Sequence, residues 1–412
     1  MRSTSRTVRE PACTPVAPAN TVEAGLGEGM TSVLEDTMRD DAVERIGLID
    51  TPPEERFDRI TRLAKEVFDV DYAVVNVVNS ETVYTKSQPP ESHFTHTPID
   101  ESFCQEAVKE PGVLEVSDGR ADPRFADRAI VAEHGIRFYA GFPLRTEDGH
   151  AVGTLCLLDA DPGRLDADQR AAFERFGLWA EAEMRQSEPV DASPSPAEVH
   201  ETIGEEVRLA SFALPHGAVS GDRSGWQHVS GRVVVTLVDV MGKGEAAGAV
   251  AQELIAALQH RGDATPLDAL VSIEGEARKQ GLLRHTFATV FHAVIDTRSG
   301  FVDFVDAGHG LTLLLHPDGR AERLTSRNLP LGLRPTDIPW EAGRVSVSRG
   351  DLLVSVSDGA LDAYDSTLES LRMLGDDLRR AAGPSGFFDQ LAVRVTSQKV
   401  DDDVTAIVAS MH

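Results

Sequence analysis

Apolar positions recur along this chain with two different periods, and the switches between them mark out its elements. From 54 to 68, Phe57, Ile60, Leu63, Ala64 and Val67 share one face at helical spacing. Tyr72 to Val78 is a β-branched run bounded by Asp71 and Asn79, which predicts a buried strand. Further strands are predicted at 113–116, 139–144 and 151–158, with a turn at Glu147-Asp148-Gly149 between the last two. A helix over 166–185 follows; its start is acidic at Asp166 and Asp168, and Gly177 is its one breaker. Together these elements predict a compact α+β unit, set as a domain over 39–186.

The flanks read differently. Residues 1–38 are rich in Pro, Thr, Ala and Gly without a period, which predicts a disordered tail. The stretch 187–197, with Ser193-Pro194-Ser195-Pro196, breaks every pattern and predicts a linker. A second domain over 198–412 is expected to hold strands at 206–213, 232–240, 286–296, 301–306, 311–316, 345–349, 351–357 and 404–410. Its helices are predicted at 245–260, from Thr265 as N-cap with Pro266 next, near 366–382 and at 385–393. Antiparallel strands with helices inserted between them imply two packed sheets with helices outside.

Bulk properties narrow the classes. The 412 residues include 40 Lys and Arg against 67 Asp and Glu, a net charge of −27 that disfavours nucleic acid and anionic lipid as partners. No apolar run is long enough to span a bilayer. Arg2, Arg6 and Arg9 are followed by no apolar block, so no secretory signal is expected. Cys13, Cys104 and Cys156 are far apart, which favours a reducing, cytoplasmic setting over a disulfide framework.

Four aspartates share one placement, where a strand ends beside glycine or another acid. Asp222 follows Ser220-Gly221, Asp239 closes 233–238 and opens Val240-Met241-Gly242-Lys243-Gly244, Asp358 precedes Gly359, and Asp402 stands between Asp401 and Asp403. Singly, each reads as a turn former, and Asp401 and Asp403 read as solvated neighbours of a turn. Jointly they would repel one another unless cations neutralise them, and hard oxygen donors select Mg²⁺ or Mn²⁺ over zinc.

Ser220-Gly221-Asp222, Asp239-Val240-Met241-Gly242-Lys243-Gly244, Asp306-Ala307-Gly308-His309-Gly310, Leu329-Pro330-Leu331-Gly332-Leu333, Ser357-Asp358-Gly359 and Asp402-Asp403-Val404-Thr405 together resemble the SpoIIE-type branch of the metal-dependent (PPM) serine/threonine protein phosphatases. The resemblance implies an α-β-β-α sandwich with two Mn²⁺ or Mg²⁺ ions at one edge. It implies that Asp239 bridges both ions and the Val240 carbonyl helps hold one. Asp222 then faces the first ion, and Asp358 and Asp402 hold the other. A water activated between them would attack phosphorus in line, so no serine or cysteine nucleophile is required. The family often reads Gly-Asp-Trp-Tyr-Asp at the first motif; here Gly221-Asp222-Arg223-Ser224-Gly225-Trp226 lacks the second acid. Arg223 reads as a phosphate contact or a solvated loop residue, His309 as a general acid or a packed turn residue, and Lys243 as a phosphate attractor or a helix cap.

Residues 46–185 resemble a GAF domain through the run from Ile46 to Asp58, Ser102-Phe103-Cys104, Ala121-Asp122-Pro123-Arg124-Phe125, the run from Gly135 to Gly141, and Gly153-Thr154-Leu155-Cys156-Leu157-Leu158-Asp159. That implies an antiparallel sheet with flanking helices and leaves any small-molecule ligand open. Cys104 and Cys156 read as buried core thiols rather than redox or chromophore sites, and Phe138 and Tyr139 as pocket-lining or core aromatics. Expected is a phosphatase regulated by its GAF domain and acting on a phosphorylated STAS-type anti-anti-sigma protein. The alternatives are a pseudo-phosphatase that sequesters a signalling partner and a hydrolase of a small phosphorylated metabolite. Prolines at 189, 194 and 196 predict that coupling runs through direct domain contact, or through a homodimer built on the 166–185 helix, and not along the linker.

Overall fold

The computed structural model describes residues 28–87, 95–185 and 197–412, except 205, 218, 243, 285, 326–327 and 335–337, with side chains from 35 onward. Cys13, Lys243 and nearly all of the predicted linker lie outside the described residues.

The N-terminal half begins with α1 (Glu28–Ile46) and α2 (Glu55–Phe68), followed by β1 (Tyr72–Val78), β2 (Thr82–Ser87) and β3 (His96–Pro98). Then come α3 (Cys104–Ala107), β4 (Leu114–Val116), α4 (Ala129–Ala132), β5 (Phe138–Arg145), β6 (Ala151–Asp159) and α5 (Ala167–Arg185). Helix α1 starts inside the stretch predicted to be a disordered tail and crosses its boundary at 38. Ala42, Val43 and Ile46 on its last turns are buried in the core, which orders it. The strands form one antiparallel sheet in the order β3-β2-β1-β6-β5-β4. Phe57, Ile60 and Ala64 of α2 and Phe173, Phe176 and Trp179 of α5 cover one face of it. Gly177 does not break α5: a Cβ there would lie 2.2 Å from the Phe142 ring, so glycine lets the helix close on β5.

The C-terminal half runs β7 (Glu198–Ile203), β8 (Val207–Leu214), β9 (Asp222–Val229), β10 (Arg232–Val240), α6 (Gly244–Gln259), α7 (Pro266–Gln280), β11 (Ala288–Asp296) and β12 (Phe301–Ala307). It continues with β13 (Thr312–Leu315), β14 (Ala321–Arg323), β15 (Gly343–Ser346), β16 (Leu352–Val356), α8 (Gly359–Asp362), α9 (Leu368–Arg380), α10 (Gly383–Gln398) and β17 (Val404–Met411). One sheet has the order β15-β12-β11-β10-β9 and the other β14-β13-β16-β17-β8-β7. Leu209, Val235, Leu237, Phe291, Leu353, Ile407 and Ala409 interlock between them. Leu254, Leu258, Leu270 and Ile273 cover the outer face of the first sheet, and Leu371, Leu374, Phe387 and Leu391 that of the second. This is the α-β-β-α sandwich expected. Thr265 caps α7 as predicted, its hydroxyl accepting the Asp268 N–H at 3.1 Å. Strands β7 and β9 escape the hydrophobic pattern: β7 is exposed throughout, and β9 is half-buried and takes its form from pairing along β10.

Candidate metal and phosphoryl site

Each sheet delivers two of the four aspartates to the same rim. Asp222 opens β9 and Asp239 nearly closes β10, and the antiparallel register sets them directly opposite each other. Gly221 permits this, since a Cβ there would stand 2.9 Å from the Val240 carbonyl oxygen. In the second sheet, Asp358 follows β16 and Asp402 precedes β17. Ser357 ties those ends together: its hydroxyl accepts the Thr405 N–H at 2.9 Å and donates to the Asp403 carbonyl at 3.3 Å. A Cβ on Gly359 would lie 2.2 Å from that same carbonyl, so only glycine fits.

All four predicted acids and Val240 line one pocket, with Met241, Gly242, Phe287, Thr289 and Asp403. Removal from water, then the neighbouring Asp239 and Asp403, pushes the Asp222 carboxyl well above the usual carboxylate range. Asp239 is pushed up likewise, by loss of hydration and then by Asp358. Asp222 Oδ2 is buried with no hydrogen-bond partner. One orphaned oxygen among mutually repelling carboxylates is the chemistry a hard divalent cation satisfies. The set is not drawn tight: among the described residues, no three His, Cys, Asp or Glu side chains are grouped closely enough to hold an ion as they stand.

The other candidates separate clearly. Asp403 is buried, not solvated; it accepts the backbone N–H groups of His216 at 2.7 Å and Gly221 at 2.8 Å, fixing the first motif to the last. Asp401 is exposed, as expected of a turn. Arg223 folds its guanidinium onto the carbonyls of Ser220 and Asp222, at 3.1 and 2.8 Å. His309 is buried against the Ser355 hydroxyl at 3.0 Å, and burial pushes its pKa down to about 3. A neutral, enclosed imidazole suits the packed-turn reading better than that of a general acid.

Two side chains in the pocket wall come from the N-terminal half: Arg59 on α2 and Glu183 on α5. Arg59 Nη2 donates to Glu183 Oε1 at 2.7 Å and to Asp358 Oδ2 at 2.9 Å. Trp179 Nε1 donates to the same Glu183 oxygen at 2.9 Å. Sequence reasoning missed both. Arg59 shares the polar spacing of Glu55, Arg62 and Glu66 on α2 and looks like solvated surface. Glu183 carried a signal, since it stands four residues beyond Trp179 on a face that is otherwise apolar.

A second pocket, of about 50 Å³, lies in the N-terminal sheet and is lined by Val74, Phe103, Ile130, Ile136, Tyr139 and both thiols, among others. Tyr139 faces this pocket, whereas Phe138 packs in the core on the other side of β5. Cys104 and Cys156 are free and buried, with sulfurs 3.8 Å apart.

Comparison with known proteins agrees with this architecture. Residues 230–412 match the family Stage II sporulation protein E (SpoIIE), and residues 52–184 match the GAF domain. A cyclic di-GMP phosphodiesterase of Pseudomonas aeruginosa is 35% identical over 136 residues, covering 32% of this chain and 23% of that protein. Protein IcfG of Synechocystis is 31% identical over 83 residues, covering 20% of this chain and 13% of that protein. The chain thus spans less than a quarter of the length of either curated relative. The crystal structure of RsbX in complex with magnesium aligns with 52% of this chain and 100% of its own, at 13% identity and a TM-score of 0.44. The chain is a GAF domain, residues 52–184, followed by a PP2C-type phosphatase domain of the SpoIIE family, residues 230–412.

Proposed function

We propose that this chain is a Mn²⁺- or Mg²⁺-dependent phosphoserine/phosphothreonine protein phosphatase regulated by its GAF domain, with a phosphorylated STAS-type protein as substrate. The observation that carries the reading is the convergence of Asp222, Asp239, Asp358 and Asp402 from two sheets, with Val240, in one pocket. Asp239 and the Val240 carbonyl are assigned to hold a pair of ions together with Asp222 on one side and Asp358 and Asp402 on the other. When bound, such a pair lowers the pKa of water and offsets charge on the phosphoryl oxygens. The chain's own part is positional. Asp403 and Ser357 lock the two strand ends, while Gly221 and Gly359 let backbone approach closely enough for the carboxylates to share a charge. Thr289 Oγ1, 3.3 Å from Asp239 Oδ2, orients that carboxylate.

A STAS-type substrate is what the SpoIIE resemblance implies, and the small apolar GAF pocket is where a regulatory ligand would sit. The test is dephosphorylation of a panel of phosphorylated STAS proteins with Mn²⁺, with chelator, and with Asp239→Asn. Metal-dependent turnover of one member supports the assignment. Undiminished turnover in full chelator sinks it. Stoichiometric binding of a phosphorylated member without turnover would favour the pseudo-phosphatase.

A further inference from the structure

Two side chains of the GAF domain, Arg59 and Glu183, form part of the wall of the carboxylate pocket. The free space among the carboxylates is about 10 Å³, the room of a single water. A phosphoryl group with two ions needs several times that. Arg59, only 4% exposed, spans Glu183 and Asp358 across this pocket and is the one cation in its wall among the described residues. On its other side a groove of about 380 Å³ opens, lined by Arg59, Arg62 and Leu63 from the GAF domain and by His309, Gly310 and Arg323 from the phosphatase domain. Arg59 therefore stands between an accessible groove and the carboxylates.

The contact is anchored at several points. The Glu55 N–H donates to the Ser366 carbonyl at 2.7 Å, the Trp179 and Phe287 rings meet edge-on at 6.1 Å, and Leu329 and Leu333 join the GAF core. Yet Arg59 Nε and Nη1 are buried without partners, and such orphaned donors weaken the closed state relative to an open one.

We propose that Arg59 is an internal stopper: the GAF domain holds the phosphatase site shut by pairing this guanidinium with Asp358, where it competes with the divalent cation and blocks entry from the groove. Moving α2 away is then the activating step, a route through direct domain contact. This inference rests on the metal-site reading above.

The test uses the full chain and Mn²⁺ alone, by titration calorimetry, alongside turnover of p-nitrophenyl phosphate. The double variant Arg59→Met/Glu183→Gln removes both charges at similar volume, so neither is left buried alone. Leu333→Glu is a second, independent wedge at the interface, away from the pocket. Both are expected to bind Mn²⁺ at least about ten-fold more tightly than the unaltered chain and to turn over faster by a similar factor. Unchanged or weaker Mn²⁺ affinity in both, with binding lost in Asp239→Asn, overturns the stopper and leaves the metal site standing. Loss of turnover at unchanged affinity also overturns it, since Arg59 would then serve the substrate. If Asp239→Asn binds Mn²⁺ normally, the metal-site reading falls and the stopper with it.

Discussion

The GAF pocket and the phosphatase pocket are both enclosed by antiparallel sheet, but their linings have opposite requirements. In the first, apolar side chains surround a few polar groups that bond among themselves: Asn76 Nδ2 approaches the Cys104 and Cys156 sulfurs at 3.5 and 3.6 Å, and Thr154 Oγ1 lies 3.3 Å from Cys104. In the second, acids are gathered away from water, and burial followed by the neighbouring carboxylates raises Asp222 and Asp239 well above the usual carboxylate range. A pocket lined mostly by apolar groups, with one buried orphan oxygen at Asn76 Oδ1, gives little information about its ligand. A pocket of unsatisfied like charges specifies one, because something positive must enter it. Here two claimants meet that requirement, a divalent cation and Arg59.

Removing one acid should break this contrast most sharply. Asp239→Asn is expected to lower turnover by about three orders of magnitude or more, because on the proposed assignment a ligand of the metal pair goes. Its thermal midpoint in chelator should be equal to or above that of the unaltered chain, since a mutually repelling buried charge goes too. A well-folded Asp239→Asn protein with near-normal turnover would contradict the bridging role.

Metal add-back gives the next effect. At a hundred times its dissociation constant, Mn²⁺ should stabilise the folded chain by about 2.7 kcal/mol, a shift of several degrees in thermal midpoint. The shift should vanish in Asp239→Asn and survive substitutions in the GAF pocket. The same shift in both pocket variants, or in neither, would mean the ion binds elsewhere.

Acid titration probes the C-terminal half. His292 in β11, hydrogen-bonded to Thr236 at 2.8 Å, is pushed by burial down to a pKa of about 4. The unfolded chain takes up this proton near pH 6.5 and the folded chain does not. The stability it contributes is therefore complete above pH 6.5 and is lost as pH falls toward 4, on the order of 3 kcal/mol in all. In His292→Gln the slope of stability against pH over that window should fall by about one proton. An unchanged slope rules out His292 as the group responsible.

The smallest effect is expected from the thiols. Cys104→Ser and Cys156→Ser should each leave phosphatase turnover within about two-fold and cost roughly 1–2 kcal/mol of stability, the penalty of a less apolar buried group. Loss of turnover on mild oxidation, absent from both serine variants, would give the pair a signalling role.

Much of the fold was legible because it rests on short-range rules. The helical spacing from Phe57 to Val67, the β-branched run at 72–78 and the Thr265-Pro266 cap state local preferences that burial reinforced. Two of the four aspartates were legible for a related reason: a rim acid beside a close backbone approach needs glycine next to it, and Ser220-Gly221-Asp222 and Asp358-Gly359 carry that requirement in adjacent residues; Asp239 and Asp402 stood out only as members of the whole set of motifs. Strand β9 was not legible, since its polar sequence is made a strand by β10 and not by its own pattern. The order of α1 was hidden likewise, because three apolar residues at its end decide it only once the sheet is there to receive them.

What the sequence alone determined is thus the two domains, their layers and the acids at the phosphatase rim, each written in contiguous residues or a fixed period. What only the tertiary structure decided is which charges meet. Asp403 holds the backbone N–H groups of His216 and Gly221, and Arg59 reaches Asp358 across 299 positions of chain. A charged residue on a helix surface has the same spacing whether it faces water or another domain; its partner is chosen by packing.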